Sequence, residues 1–135
     1  MKVVVEHGGF IPVRGYEDDA GLDLKSPVSE WVHPGEHIVI DTRLRMAIPK
    51  GYVGLITSKS GLMKKDITVR GTVDSGYTGT VGAIIFNHGS EGYQIKAGDK
   101  ICQMVIVPVI RPEIELVNEL EPTERGDNGY GSTGR

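Results

Sequence analysis

The segment Arg125-Gly126-Asp127-Asn128-Gly129-Tyr130-Gly131-Ser132-Thr133-Gly134-Arg135 puts an arginine, an aromatic ring and two small hydroxyls among four glycines. So many glycines cannot hold a helix or pack a core, because each loses the most backbone freedom on folding. The residues left over have a common use. Arginine meets phosphate oxygens bidentately. Successive N–H groups in a glycine-rich turn make an anion-binding concavity. An aromatic ring stacks on a base. Together they could wrap a phosphorylated, ring-bearing ligand. A plain flexible terminus has the same composition, so the rest of the chain must decide.

Four further clusters carry chemistry-bearing residues: Ala20-Gly21-Leu22-Asp23-Leu24, Ser58-Lys59-Ser60-Gly61-Leu62, Gly71-Thr72-Val73-Asp74-Ser75-Gly76-Tyr77-Thr78-Gly79 and Gly98-Asp99-Lys100-Ile101-Cys102-Gln103-Met104. Each has a bland reading. Asp23 could cap its own backbone at a strand end. Ser60 could be a helix N-cap. Asp74-Ser75-Gly76-Tyr77 is built of turn formers. Gly98-Asp99 suits a β-turn, with Gln103 on a surface strand.

The elements that must position these clusters are short and β-branched. Strands are predicted over 2–6, 29–32, 36–41, 45–48, 52–57, 68–73, 80–87, 92–95, 100–107 and 113–116, with Gly, Pro, Asn and Asp breakers between them. Only 60–65 reads as a helix, of one or two turns. The spacing predicts an all-β sandwich or jelly roll rather than βαβ units. At 135 residues the chain is one domain with enough core to fold unaided. Residues 1–121 form the expected β domain, and 122–135 the expected Gly-rich C-terminal lid. The run 79–87 is apolar at nearly every position, which fits burial against another subunit as well as a central strand in a monomer.

A net charge of −3 argues against a general nucleic-acid coat but not against a small anionic ligand in a basic cleft. The single cysteine, Cys102, excludes an internal disulfide, suits a reducing compartment and falls in an apolar strand. No apolar run nears the roughly 20 residues that span a bilayer, and Glu6 comes too early for a secretory signal. A soluble, cytoplasmic protein is expected. His7, His33, His37 and His88 show no metal-ligand spacing.

In this order and at these separations, the five clusters resemble the deoxyuridine triphosphatase (dUTPase) family of homotrimers, from Ala20 to Gly134. The resemblance implies a distorted jelly-roll subunit that hydrolyses dUTP to dUMP and pyrophosphate. That reaction limits uracil in DNA and supplies dUMP for thymidylate synthesis. It implies water attack on the α-phosphorus, with Mg2+ chelated by the triphosphate.

Residue roles follow from the same resemblance. Asp74 would hold the attacking water and the sugar 3′-hydroxyl. Tyr77 would lie against the deoxyribose. A hairpin backbone around Thr68, Gly71 and Val73 would read uracil. Asp23 would reach the metal through waters. Lys59, Ser60, Gly61 and Gln103 would bind the phosphates. Arg125, Gly131, Ser132 and Thr133 would grip the outer phosphates, and Tyr130 would cover the uracil. One chain would supply Asp23, Ser60 and Gln103, a second the Asp74 hairpin, and a third its tail.

Three residues depart from the family pattern. Lys59 replaces the usual arginine and loses its planar fork. Tyr130 replaces phenylalanine, and Thr68 stands where many members have asparagine. The same scaffold hosts a dCTP deaminase family, whose catalytic glutamate follows the hairpin; Ala83-Ile84-Ile85-Phe86 has no carboxylate there. A non-catalytic or signalling role on the scaffold is the other alternative.

Overall fold

The computed structural model describes residues 1–129. Ten strands and one short helix follow in chain order: β1 (Val3–Val5), β2 (Gly21–Lys25), β3 (Glu30–Val32), β4 (His37–Asp41), β5 (Leu44–Met46), β6 (Tyr52–Thr57), α1 (Ser60–Met63), β7 (Ile67–Asp74), β8 (Gly82–Asn87), β9 (Tyr93–Ile95) and β10 (Lys100–Pro108). Six of them form one antiparallel sheet in the order β2-β10-β6-β7-β8-β4. Two ribbons, β1-β5 and β3-β9, flank it. The all-β expectation holds.

The core is aliphatic. Leu24, Val32, Leu44, Ile56, Ile67, Ile85, Ile101 and Met104 are among its buried members. Alternation sets the faces: along β6 the residues Gly54 and Ile56 point inward, and along β7 Ile67, Val69 and Val73. Gly54 is small because a Cβ there would lie 3.0 Å from the Met104 sulfur. Chain reversals use glycine at positive φ, as at Gly35, Gly51 and Gly98.

Several sequence expectations need correction. Residues 113–116 form no strand; regular structure among the described residues ends at Pro108. Their alternation finds no partner strand among the described residues. A strand not expected, β2, forms at Gly21–Lys25 because it pairs with β10. Strand β8 alternates in burial rather than being covered on both faces: Ala83, Ile85 and Asn87 are buried, while Ile84 sits outside opposite Val39, which is 65% exposed. Ser60 is the first helical residue and not the N-cap. Lys59 occupies that place without a side-chain cap. The neighbouring Ser58 instead exchanges hydrogen bonds with the Val69 backbone, accepting from its N–H at 2.7 Å and donating to its carbonyl at 3.0 Å.

Candidate active site

The lysine-lined cleft comes from three strands meeting at one end of the sheet. Asp23 on β2 lies opposite Gln103 on β10, and Gln103 lies opposite Thr57 at the end of β6. The chain then turns through Lys59 into α1. Gly21 is part of the construction, because a Cβ there would come within 2.3 Å of the Gln103 amide oxygen. The bulge between Lys100 and Cys102 has a similar effect. It buries Ile101 and Cys102 together and leaves Lys100 facing Asp23.

Asp23 is buried, with 5% of its surface exposed. Its Oδ1 accepts from Lys59 Nζ, and its Oδ2 pairs with Lys100 Nζ at 2.8 Å. Burial alone would raise the Asp23 carboxyl. Hydrogen bonds from Lys100 and Lys59 and their charges outweigh it and hold the carboxyl below its usual range. The same bond raises the Lys100 ammonium. Around this ion triad opens a cavity of about 340 Å³ lined by Lys59, Ser60, Gly61, Lys65, Lys100 and Gln103. Three lysines line the cleft and Asp23 pairs with only two of them, so the cleft suits an anion. Lys65 and Lys100 were not picked out from sequence. The signal for Lys100 was its place three residues before Gln103.

The second group of expected residues sits elsewhere. Asp74 ends β7 opposite Val53, the second residue of β6. Tyr77 N–H donates to the Asp74 carbonyl at 3.0 Å, which closes a β-turn. The Tyr77 hydroxyl reaches back to the Thr80 carbonyl at 2.8 Å. Gly79 permits this, since a Cβ there would lie 2.4 Å from the Tyr77 hydroxyl oxygen.

Thr68 and Gly71 lie within β7, not at a reversal; the chain turns between Asp74 and Gly82. The Thr68 hydroxyl is 2.8 Å from His88 Nε2. Pairing of β7 with β8 stops at Arg70 opposite Ile84, while pairing with β6 runs on to Asp74. Beyond Arg70 the β8-facing edge of β7 is open. Ser58 takes both Val69 backbone groups on the other edge, so ladder alternation aims Gly71 and Val73 at β6 and Thr72 at the open gap. Thr72, which sequence reasoning did not single out, is thus the residue whose backbone faces the open edge, while Gly71 and Val73 face β6.

Arg125 bonds within its own turn, donating from Nε to the Asn128 carbonyl at 2.9 Å. Tyr130, Gly131, Ser132 and Thr133 lie outside the described residues. Cys102 is buried, and burial pushes its thiol up to about 12, so it is no nucleophile. Among the described residues no group of three or more His, Cys, Asp or Glu side chains could hold a metal. The cleft offers a divalent ion the single carboxylate of Asp23. It fits one that arrives on a polyphosphate and meets that carboxylate through water.

Fold and site together define an all-β protein with a cationic cleft at one sheet end and a carboxylate-bearing turn at the other. The sequence matches the family described as dUTPase over residues 9–134, and the chain belongs to that family. It is 43% identical to the deoxyuridine 5'-triphosphate nucleotidohydrolase of Clostridium novyi (strain NT), covering 99% of both chains. With the mitochondrial enzyme of that name from Homo sapiens it shares 40% identity, over 92% of this chain and 50% of that one. The dUTPase of Staphylococcus bacteriophage 80alpha, solved with dUPNHPP, superposes with a TM-score of 0.92 at 33% identity, covering 99% of this chain and 98% of that one. A variant dUTPase from phage phi11 of S. aureus, described as coordinating a structural Mg(II) ion, superposes at 0.80 with 33% identity, covering 87% of this chain and 96% of that one. Among the described residues no helix is long and apolar enough to cross a membrane.

Proposed function

We propose that the chain hydrolyses dUTP to dUMP and pyrophosphate. The observation that carries this reading is the cleft in which Lys59, Lys65 and Lys100 face Ser60, Gly61 and Gln103. It suits a phosphate chain, and the family supplies the nucleotide. Positioning and charge neutralisation are what phosphoryl transfer asks of a protein.

Asp74 is the residue to hold the attacking water. An ionised carboxylate only accepts hydrogen bonds, so it can orient a water through both of that water's protons. Tyr77, folded over its own turn, offers a flat wall to the deoxyribose. The open edge at Thr72 offers one N–H and one carbonyl to a base edge. Mg2+ bound with the triphosphate would offset its charge, and Asp23 is the residue that would hold it, through waters. Arg125, Gly131, Ser132 and Thr133 are assigned to the outer phosphates and Tyr130 to the uracil face.

The working unit is a homotrimer with shared sites. Within one chain, Asp74 and the cleft lie at opposite ends of β6, so a complete site needs the hairpin of a second copy. Exposed apolar residues support association, among them Val39 and Ile84 on the sheet, and Ile110, Ile114, Leu116 and Leu120 beyond β10.

The test is a product assay with dUTP, dCTP and dTTP on the full chain. Pyrophosphate from dUTP alone is expected. A uracil nucleotide from dCTP would mean deamination, and no reaction with any of the three would leave a binding role.

A further inference from the structure

The loop that carries Tyr77 runs between β7 and β8 beside the β1-β5 ribbon. Between it and the β1-β5 ribbon lies a hollow of about 280 Å³, lined by Val4, Arg45, Met46, Tyr77 and Thr78. Polar bonds bridge that hollow. Arg45 on β5 donates from Nη1 to the Thr78 carbonyl at 3.0 Å. Its Nε is fixed at 2.6 Å from Glu6 Oε1, just past β1. Two residues on, Thr80 Oγ1 donates to Asp41 Oδ2 at 2.9 Å. Asp41 is itself held, because its Oδ1 accepts from the N–H of Arg43 at 2.8 Å. Arg43 has a φ of 59°, which shows how tightly that corner turns. Thr80 is also the residue whose carbonyl receives the Tyr77 hydroxyl. The tyrosine is thus tied to a residue that is tied to Asp41, and its chain neighbour is tied to Arg45.

We propose that Arg45 and Asp41 are positioning residues for Tyr77, and that their two-point hold on Thr78 and Thr80 sets how strictly the site excludes a ribose. The proposal rests on the reading above that Tyr77 lies against the deoxyribose. Neither residue touches substrate. An unpinned loop lets the ring retreat into the hollow beside it, and the space gained admits a 2′-hydroxyl. A net hydrogen bond of about 1 kcal/mol corresponds to roughly fivefold in a rate ratio.

The experiment compares kcat/KM for dUTP and UTP in the full-length enzyme and in Arg45→Ala, Arg45→Lys, Thr80→Val, Tyr77→Phe and the Arg45→Ala/Tyr77→Phe double variant. Arg45→Ala and Thr80→Val should each lower the dUTP-to-UTP ratio about fivefold. Arg45→Lys, which keeps a donor, should recover part of it. The double variant should lose less than the product of its singles, because both act through one loop. A merely structural role would lower turnover on both substrates and leave the ratio alone. An unchanged ratio in both Arg45→Ala and Thr80→Val overturns the proposal; Thr80→Val decides alone if Arg45→Ala does not fold. If the unmodified enzyme shows no preference for dUTP over UTP, the reading of Tyr77 falls first and this proposal falls with it.

Discussion

Asp74 on β7 and Asp23 on β2 lie level with opposite ends of β6. Asp74 pairs across from Val53 near the start of β6, whereas Asp23 lies two strands from Thr57 at its end, through Gln103. Four strand steps of about 3.3 Å separate those ends by roughly 13 Å. On the assignment proposed above, the Asp74 of one chain serves a phosphate held at Lys59 and Gln103 of another. Mixing Asp74→Asn subunits with Lys59→Ala/Gln103→Ala subunits should therefore restore activity that neither has alone. Some sites in the mixed assembly then combine an intact hairpin with an intact cleft. Turnover measured after co-refolding checks this. Mixtures no better than their components would place the whole site in one chain.

Asp74→Asn by itself should lower kcat by ~10²- to 10⁴-fold, the usual worth of an oriented base. Nucleotide affinity should change little, because asparagine keeps the shape of the side chain and the phosphate contacts at Lys59, Ser60, Gly61 and Gln103 are untouched. Calorimetric binding of a non-hydrolysable dUTP analogue beside steady-state turnover separates the two. A loss of less than about tenfold would move the water-holding role elsewhere.

What the sequence disclosed depended on whether the signal was local. Strands β4, β6 and β10 announce themselves through β-branched residues and bounding glycines or prolines. Gly21-Leu22-Asp23-Leu24-Lys25 has a glycine and two charges in five residues, and becomes a strand only because β10 lies beside it. The reverse holds for Glu113-Ile114-Glu115-Leu116, whose alternation is clear but which pairs with no strand among the described residues. Asp74 and Tyr77 could be read as a turn because a turn is built by neighbours. The ion triad could not be read, since Lys59 is 36 positions from Asp23 and Lys100 approaches through a bulge. Thr72 was invisible for a similar reason, because only the two-sided register of β7 distinguishes it from Gly71.

The segment after β10 gives an assembly prediction. Ile114 and Leu116 are 97% and 96% exposed. Two residues apart in extended chain, they present one apolar edge. Such a ridge is costly in water and suits a groove on a neighbour. Ile114→Asp/Leu116→Asp should weaken assembly and lower activity at dilute concentration, with activity returning as protein concentration rises. Sedimentation velocity across a concentration series measures this. Unchanged sedimentation would assign association to the Val39 and Ile84 face instead.

Asp23 links the cleft to pH. Its carboxyl is held below the ordinary value of 3.8, chiefly because Lys100 and Lys59 outweigh the effect of burial. A group with a depressed folded pKa adds stability above its unfolded pKa and loses it as pH falls through the folded one. The contribution of Asp23 should therefore be complete at neutral pH and decline below about pH 4. Lys100 has the opposite sign: its raised pKa adds stability below its ordinary 10.5 that is lost as pH rises beyond it. Asp23→Asn removes the carboxylate and leaves two ammonium groups facing each other, so it should lower the melting temperature at pH 7. The gap between the two proteins should narrow as pH falls below 4, because acid then does to the native chain what the substitution does at every pH. Lys100→Met in the Asp23→Asn background should win back part of the loss by removing the repulsion. Melting curves from pH 3 to pH 8 at low salt measure all of this. A gap that stays constant down to pH 3 would show that the carboxylate's charge does not hold the two lysines in place.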